Sequence, residues 1–298
     1  MPSYTISGAV SGEGLQTPPR VLIFYPMKTR ELQKVIPSMP ASDGAGVKLR
    51  RSIGASQLQR HDPFLMLDEF YSDDPGDYLA GFPSHPHRGF ETVTYMLDGH
   101  MRHEDDRGNR GDLGPGDVQW MSAARGIIHS EMPQQTEGRM RGFQLWLNLP
   151  AKEKMKPAAY RDIPSKEIPS INGVKIIAGE YRGTKGAIHG GSTDPYYFDI
   201  RLEPGATFEA ALPPAHSAFA YAYEGEAEIA GKALPHRAAG ILSEGEAVEV
   251  KSAKGARLLL LAGRPLREPV VQYGPFVMNT REEIEQAIAD YQAGAFGR

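Results

Sequence analysis

Two pairs of metal-ligating side chains stand out in the sequence, each with one residue between its members. His85 and His87 form the first pair, and His129 and Glu131 form the second. On an extended strand, residues i and i+2 point to the same face, about 7 Å apart along the backbone, so each pair can converge on one ion. Two such strands side by side would build a site of three histidines and one glutamate. Glu91 has the same strand parity as His85 and His87, which leaves it open as a further ligand.

The available ligand types limit the metal. The chain has no cysteine, which excludes thiolate sites, disulfides and cysteine nucleophiles. Imidazole and carboxylate without sulfur suit Fe, Mn, Ni, Cu or Zn. On an octahedral ion, four protein ligands leave two positions for water, oxygen or substrate. A tetrahedral ion would be closed by the same four ligands and would be structural, so the coordination number separates an enzyme from a scaffold.

The remaining histidines are predicted to lie outside this site. The cluster His103, Glu104, Asp105, Asp106 precedes Gly108-Asn109, which predicts a solvated loop. In the C-terminal half, His216 stands alone near a predicted strand at 219–223, and no His-x-His pair follows. We therefore predict that this half binds no metal, and we place His189 and His236 in loops.

The elements that must position the ligands are predicted to be short strands. The 33 glycines and 24 prolines are spread along the chain, as in an all-β protein. Alternating residues predict strands at 90–97 and 196–202. One helix is clear: Thr280 and Glu283 form a capping box, an apolar stripe runs from Ile284 to Tyr291, and Gly294 signals the end. Residues 1–45 lack a period and contain several prolines, so we expect a partly ordered N-terminal extension.

A coarse internal duplication supports two copies of one β unit. Each half has a predicted strand ending in an acidic-Gly turn, Asp98-Gly99 in the first and Glu224-Gly225 in the second. Each half later has a Gly-acid step before a strand, Gly116-Asp117 and Gly245-Glu246.

Length and charge narrow the class of protein. With 298 residues, the chain is predicted to form about two domains. Its net charge of −4 argues against unaided binding to nucleic acid or to a membrane surface. There is no apolar run of the roughly 20 residues that a membrane span needs, and no secretory signal is evident. A cytoplasmic location is the expectation.

Several blocks of sequence resemble the pirin family. The resemblance is close over about residues 46–150 and looser to the end, and it does not cover residues 1–45. The blocks that carry it are 50–54 (RRSIG), 62–70 (DPFLMLDEF), 85–92 (HPHRGFET), 116–121 (GDVQWM), 125–133 (RGIIHSEMP) and 276–280 (FVMNT).

The resemblance implies a bicupin: two antiparallel β-barrels, each a double-stranded β-helix, with a C-terminal helix. It implies an N-terminal metal-binding cupin domain at 46–150 after the extension at 1–45, and a C-terminal cupin domain at 151–298 without metal. Carried over motif by motif, the ligands are His85, His87, His129 and Glu131. They hold one divalent ion per chain, usually taken as iron, and Glu91 lies outside the ligand set.

The family also implies two alternative functions. One is a quercetin 2,3-dioxygenase-like activity, in which O₂ opens a flavonol ring and carbon monoxide is released. Glu131 would then take the 3-hydroxyl proton, and an apolar pocket would hold the flat substrate. The candidate lining residues are Phe90, Trp120, Met121, Phe143 and Trp146. The other is a non-catalytic, metal- and redox-dependent regulator that binds a protein partner, such as a transcriptional co-regulator or a modulator of a metabolic enzyme. We favour the enzyme.

Overall fold

The computed structural model describes residues 27–56 and 59–298, and antiparallel strands dominate it. The strands of the first half are β1 (Leu32–Pro37), β2 (Met39–Asp43), β3 (Val47–Arg51), β4 (Phe64–Ser72), β5 (Phe82–His87), β6 (Phe90–Asp98), β7 (Met101–Asp105), β8 (Arg110–Leu113), β9 (Val118–Ser122), β10 (Ile127–Pro133), β11 (Met140–Asn148) and β12 (Ala159–Ile163). Those of the second half are β13 (Ser170–Ile171), β14 (Val174–Ala178), β15 (Glu180–Tyr181), β16 (Thr184–Lys185), β17 (Tyr196–Leu202), β18 (Thr207–Ala211), β19 (Ser217–Gly225), β20 (Ala227–Ile229), β21 (Lys232–Leu234), β22 (Ala238–Leu242), β23 (Ala247–Lys251), β24 (Ala256–Gly263), β25 (Val271–Tyr273) and β26 (Phe276–Met278). The α-helices are α1 (Ala151–Lys154) and α2 (Arg281–Gln292), with single 3-10 turns at Pro75–Asp77 and Ser165–Glu167.

The same two-sheet barrel occurs twice. In the first barrel, a seven-stranded sheet in the order β12-β9-β6-β11-β4-β3-β2 faces a four-stranded sheet, β5-β10-β7-β8. In the second barrel, the corresponding orders are β1-β22-β19-β24-β17-β14-β13 and β18-β23-β20-β21. The expectation of an all-β protein with two antiparallel cupin barrels is confirmed.

The duplication is confirmed, but one of its two landmarks was aligned wrongly. Strand β6 ends at Asp98 of the first turn, and strand β19 ends at Gly225 of the second. These two strands occupy equivalent places in the two large sheets. Gly116-Asp117, however, leads into β9 of a large sheet, whereas Gly245-Glu246 leads into β23 of a small sheet. A Gly-acid turn precedes many strands, so this short likeness does not identify equivalent positions.

The segment expected to be an N-terminal extension contributes strands to the fold. Residues 1–26 lie outside the described part of the chain. Beyond them, β1 pairs with β22 at the edge of the second barrel, and β2 pairs with β3 in the first. Pro37 and Pro40 are tolerated because β1 and β2 are edge strands, where a missing backbone donor costs no ladder bond. Periodicity is weak here because edge strands are largely exposed.

Three apolar clusters organise the molecule. One fills the interior of the second barrel, with Phe198, Ala220 and Leu260 among its members. A second joins the two large sheets face to face and contains residues such as Phe143 and Tyr221 from opposite barrels. A third, around Phe70 and neighbouring residues, fills only part of the first barrel. The first barrel therefore has room inside it for a cavity.

The other predicted elements are also confirmed. The strands at 90–97 and 196–202 are β6 and β17, and the strand at 219–223 lies within β19. Helix α2 begins after Thr280 with both bonds of the capping box, and Gly294, with φ +67°, follows its end. Among the described residues, no helix is long and apolar enough to cross a membrane.

Candidate metal centre

Strands β5 and β10 place the predicted ligand pairs side by side. They pair antiparallel, with His85 directly opposite His129, and His87 lies two residues further along the same face of β5. The register shifts between His129 and Glu131, so the strand bends at that point. Strand β5 contains two prolines between and before its histidines, and it tolerates them because it is an edge strand.

The three histidines converge through their Nε2 side. The Nε2 atoms of His85 and His87 lie 2.9 Å apart, and one ligand atom from each of the three residues lies within 4.8 Å of the others. His85 turns its Nδ1 toward the carbonyl of Pro83, 2.8 Å away. His129 turns its Nδ1 toward His103, which leaves its Nε2 buried without a hydrogen-bond partner among the described residues. Such an orphaned acceptor beside two other imidazoles fits a metal ion.

Burial keeps the central imidazoles in the form that a metal requires. His87 and His129 are 3 % and 1 % exposed. Desolvation lowers the pKa of both rings well below the ordinary value, and the neighbouring histidines lower it further. Both rings are therefore neutral at pH 7, with a lone pair available for ligation.

His103 lies beside the histidine group, a position that the sequence analysis did not predict. It lies on β7, fully buried, rather than in a solvated loop, although Glu104 and Asp106 of the same cluster are exposed. The register pairs it with Glu131, and its Nδ1 lies 3.1 Å from Nδ1 of His129. One signal in the sequence could have indicated burial. His103 lies two residues after the apolar Met101, so on a strand both side chains share a face, and both are buried on β7.

Glu131 lies on the same face of β10 as His129, and its carboxylate is buried. It is not a member of the three-histidine group, and its ligation of a metal stays a prediction. The hydroxyl of Thr94 lies 2.9 Å from Oε1, and the amide of Gln144 donates to Oε2 at 3.3 Å. Both oxygens are thus held in place while each keeps a lone pair for a further partner.

Glu91 faces away from the ligands. Glu91 is four residues after His87, a spacing that would place both on one face of a continuous strand. The chain instead turns at Arg88-Gly89 and enters a different sheet. On β6, Glu91 shares a face with Val93, which belongs to the core between the barrels. Its carboxylate accepts a hydrogen bond from Trp120 Nε1 at 3.2 Å, and burial raises its pKa to about 7.

A cavity of about 610 Å³ opens beside the histidines inside the first barrel. His85, His87, Glu131 and Gln144 form its floor, and exposed residues of the turn at 43–45 and the C-terminal hairpin at 272–275 lie at its mouth. Much of its wall is apolar, consisting of Leu49, Leu65, Met66, Phe70, Phe82 and Trp146. A cavity of this volume and character is typical of a small-molecule site.

Of the five aromatic and methionine residues predicted to line a pocket, only Trp146 lines this cavity. Phe90 lies behind it, with ring centroids 4.3 Å apart. Trp120 and Phe143 belong to the core between the barrels, and Met121 packs in a separate small cluster. The prediction was wrong for these four. Trp120 and Phe143 face the other side of the large sheet, because successive residues of a strand face opposite sides, whereas Phe90 and Met121 pack in small clusters outside the cavity lining.

The second barrel carries no equivalent ligand group. The strand pair that matches β5 and β10 is β18 and β23, and its buried positions are Phe208, Ala210, Val248 and Val250. His216 lies elsewhere, 4 % exposed, with its Nε2 3.7 Å from a carboxylate oxygen of Asp194. Among residues 27–56 and 59–298, the three histidines are the one group placed to hold a metal. That this barrel binds no metal stays a prediction.

Two family models match the chain. The model for Pirin covers residues 46–147, and the model for the Pirin C-terminal cupin domain covers residues 197–297. The first therefore contains the histidine group and the second contains the apolar barrel.

Individual relatives agree with these matches over nearly the whole chain. A Pseudomonas aeruginosa protein named "Putative quercetin 2,3-dioxygenase" is 54 % identical over 278 residues, which is 89 % of this chain and 97 % of that protein. Human pirin is 46 % identical over 267 residues, or 86 % and 90 % of the two chains. The crystal structure titled quercetin 2,3-dioxygenase from Acinetobacter baumannii has a TM-score of 0.83 at 33 % identity, covering 90 % of this chain and 99 % of that one. The chain belongs to the pirin family.

Proposed function

We propose that the protein is a metal-dependent dioxygenase that opens the ring of a flavonol such as quercetin with O₂ and releases carbon monoxide. The observation that carries this proposal is the position of the three histidines at the floor of a cavity of about 610 Å³ with largely apolar walls. A structural ion needs no such cavity, whereas a flat aromatic substrate does. The titles of the P. aeruginosa and A. baumannii relatives point to the same activity.

His85, His87, His129 and Glu131 would hold the ion, for which Fe(II) is our preferred identity, with Zn, Mn, Ni and Cu as alternatives. Such an ion, when bound with two open positions, supplies Lewis acidity toward the substrate oxygens and a redox partner for O₂.

Glu131 is the residue we assign to proton transfer. Its carboxylate lies on the cavity floor beside His85 and His87, where a flavonol hydroxyl would approach. The proton of the 3-hydroxyl moves to a carboxylate oxygen of Glu131, and Thr94 and Gln144 hold that carboxylate in position. Because a carboxylate cannot ligate a metal and act as a base at full strength together, Glu131 would accept the proton only while it is not ligating the ion.

The proposal is tested by turnover of quercetin by the metal-loaded protein. We expect O₂ uptake and carbon monoxide release in equal amounts, loss of both in His85→Ala, and retention of both in the matched control His216→Ala. Metal content should be one equivalent per chain in the wild type and in His216→Ala.

A wild-type protein that holds its metal but turns over no flavonol would contradict the proposal. That result would favour the alternative of a metal- and redox-dependent regulator that binds a protein partner.

A further inference from the structure

A row of polar side chains crosses the cavity side of the large sheet in the first barrel. The register places Arg51 of β3 opposite Asp68 of β4, Asp68 opposite Gln144 of β11, and Gln144 opposite Thr94 of β6. The last two residues hold the carboxylate of Glu131. The row thus starts at the metal centre and ends at an arginine-aspartate pair on the cavity wall.

The pair has a fixed geometry. Arg51 donates from Nε to Oδ1 of Asp68 at 2.7 Å and from Nη2 to Oδ2 at 2.6 Å. Nη2 also donates to Asp43 at 2.9 Å. Asp68 is 3 % exposed and the Arg51 side chain is 23 % exposed. No hydrogen bond to a described residue occupies Nη1 of Arg51, which leaves this donor available on the cavity wall.

The surroundings make the pair unusual for a structural ion pair. Leu49, Leu65 and Met66 line the same cavity, so two charges lie in a largely apolar wall. An ion pair removed from water stabilises a fold weakly, and an apolar pair of similar volume is often as stable. Its position on a cavity wall therefore suggests a role in binding.

The distance from the metal centre matches a multi-ring ligand. Neighbouring strands in a sheet lie about 4.8 Å apart, and Arg51 and Gln144 lie two strands apart, or roughly 10 Å. A planar molecule of two or three linked rings that contacts Glu131 at one end therefore reaches Arg51 at the other.

We propose that Arg51 and Asp68 determine substrate specificity by binding a neutral hydroxyl at the end of the substrate remote from the metal. This inference rests on the proposed function and specifies its substrate class as planar aromatic compounds with a remote hydroxyl. The hydroxyl accepts a hydrogen bond from Nη1 of Arg51, and Asp68 holds the guanidinium in place through Nε and Nη2.

The charge balance selects a hydroxyl over an anionic group. Asp68 neutralises Arg51, and Asp43 adds a further negative charge 2.9 Å from the guanidinium. A carboxylate or sulfate at this position would therefore meet excess negative charge. Burial raises the pKa of Asp68 to about 6, so at pH 7.5 the carboxylate is ionised and keeps both hydrogen bonds to Arg51.

The test measures binding, without turnover, of three flavonols to the metal-loaded protein in the absence of O₂. The ligands are 3-hydroxyflavone, 3,4′-dihydroxyflavone and 3,7-dihydroxyflavone, which differ by one remote hydroxyl. We expect at least one dihydroxy compound to bind at least tenfold more tightly than 3-hydroxyflavone. Arg51→Met should abolish this difference, so that the three flavonols bind with equal affinity. Arg51→Met combined with Asp68→Asn should do the same without leaving an unpaired carboxylate.

Arg50→Met is the matched control, because Arg50 lies on the same strand but binds Ser38 on the other side of the sheet. It should retain the preference for the remote hydroxyl. Equal binding of all three flavonols by the wild type, or a preference that survives in Arg51→Met, would overturn this inference alone and assign the pair a structural role. The wild-type comparison decides even if a variant fails to fold. Binding of none of the three flavonols by the wild type would overturn the proposed function, and this inference with it.

Discussion

His103 shows how one residue behind the ligands can set the chemistry of the site. If His129 binds a metal through Nε2, its Nδ1 must carry the proton and donate to Nδ1 of His103, 3.1 Å away. His103 must then be neutral, and burial lowers its pKa in that direction. Metal-ligating histidines are commonly oriented by such a partner, whose loss costs roughly 10- to 100-fold in metal affinity.

We therefore expect His103→Ala to weaken metal binding by about 10- to 100-fold, because His129 loses the acceptor that fixes its tautomer. The dissociation constant is measured by competition with a chelator of known affinity. His100→Ala is the control, since His100 is an exposed residue in the turn before β7. The metal affinity of this variant should equal that of the wild type. An unchanged constant in His103→Ala would show that His129 needs no such partner.

Glu91 gives a prediction about pH. Its pKa is about 7 in the folded protein and about 4.5 when unfolded, so the folded state holds the extra proton between these values. Stability contributed by the protonated form is present below pH 4.5 and is lost as the pH rises to 7. Glu91→Gln removes this loss and should raise the free energy of unfolding at pH 8 by up to about 3 kcal/mol, with little effect at pH 5. Urea unfolding at both pH values measures this, and an equal effect at both would contradict it.

At the scale of the element, the sequence predicted what local patterns determine. The capping box at Thr280 and the alternation at 90–97 depend on neighbouring residues, so they were found in their correct places. The strands β1 and β2 were missed because they are exposed edge strands, whose formation depends on partners far along the chain. Likewise, the spacing predicted the two pairs that β5 and β10 bring side by side, whereas the place of His103 on β7 depends on the register between strands.

The C-terminal helix also makes a distant contact, which adjoins the histidine group. Arg88, next to His87, is 3 % exposed and donates from Nη1 to Asp290 of α2 at 2.7 Å. The same guanidinium lies 4.5 Å from the ring centroid of Phe296. Gly89 is required beside it, because a Cβ there would lie 1.9 Å from the carbonyl oxygen of Val277.

Removing the carboxylate partner of Arg88 should therefore destabilise the fold. Asp290→Asn leaves the charge of a buried arginine without its counterion, and we expect a loss of about 2 kcal/mol, since Asp290 is itself partly exposed. The matched control on the same helix is Glu285→Gln, which removes an exposed pair with Arg281 and should cost less than about 0.5 kcal/mol. Urea unfolding of the three proteins at pH 7 gives the values. Similar losses in both variants would show that the Arg88 contact does not anchor the helix.

At the scale of the whole molecule, the two barrels are joined by more than apolar packing. Strand β1 precedes the strands of the first barrel along the chain, but it pairs with β22 of the second barrel. Strand β12 precedes the strands of the second barrel, but it pairs with β9 of the first barrel. Each barrel thus takes an edge strand from the segment that precedes the strands of the other barrel. Buried hydrogen bonds cross the interface as well, from Tyr95 to Asp199 at 2.7 Å and from Tyr221 to Glu69 at 2.8 Å. This exchange was not predictable from the sequence, because both partners are ordinary short strands whose pairing is non-local.

Such a molecule should unfold as one cooperative unit that the metal stabilises. A ligand that binds only the folded state at 100 times its dissociation constant adds about 2.7 kcal/mol, which corresponds to several degrees in Tm for a chain of this size. We therefore expect calorimetry to show one transition for the metal-loaded protein and one transition at a Tm several degrees lower after chelation. His129→Ala, which lacks a ligand, should show no change with chelator. Two transitions, of which chelation shifts only one, would mean that the barrels unfold independently despite their exchanged strands. An unchanged Tm would mean that the histidine group binds no metal in the folded protein.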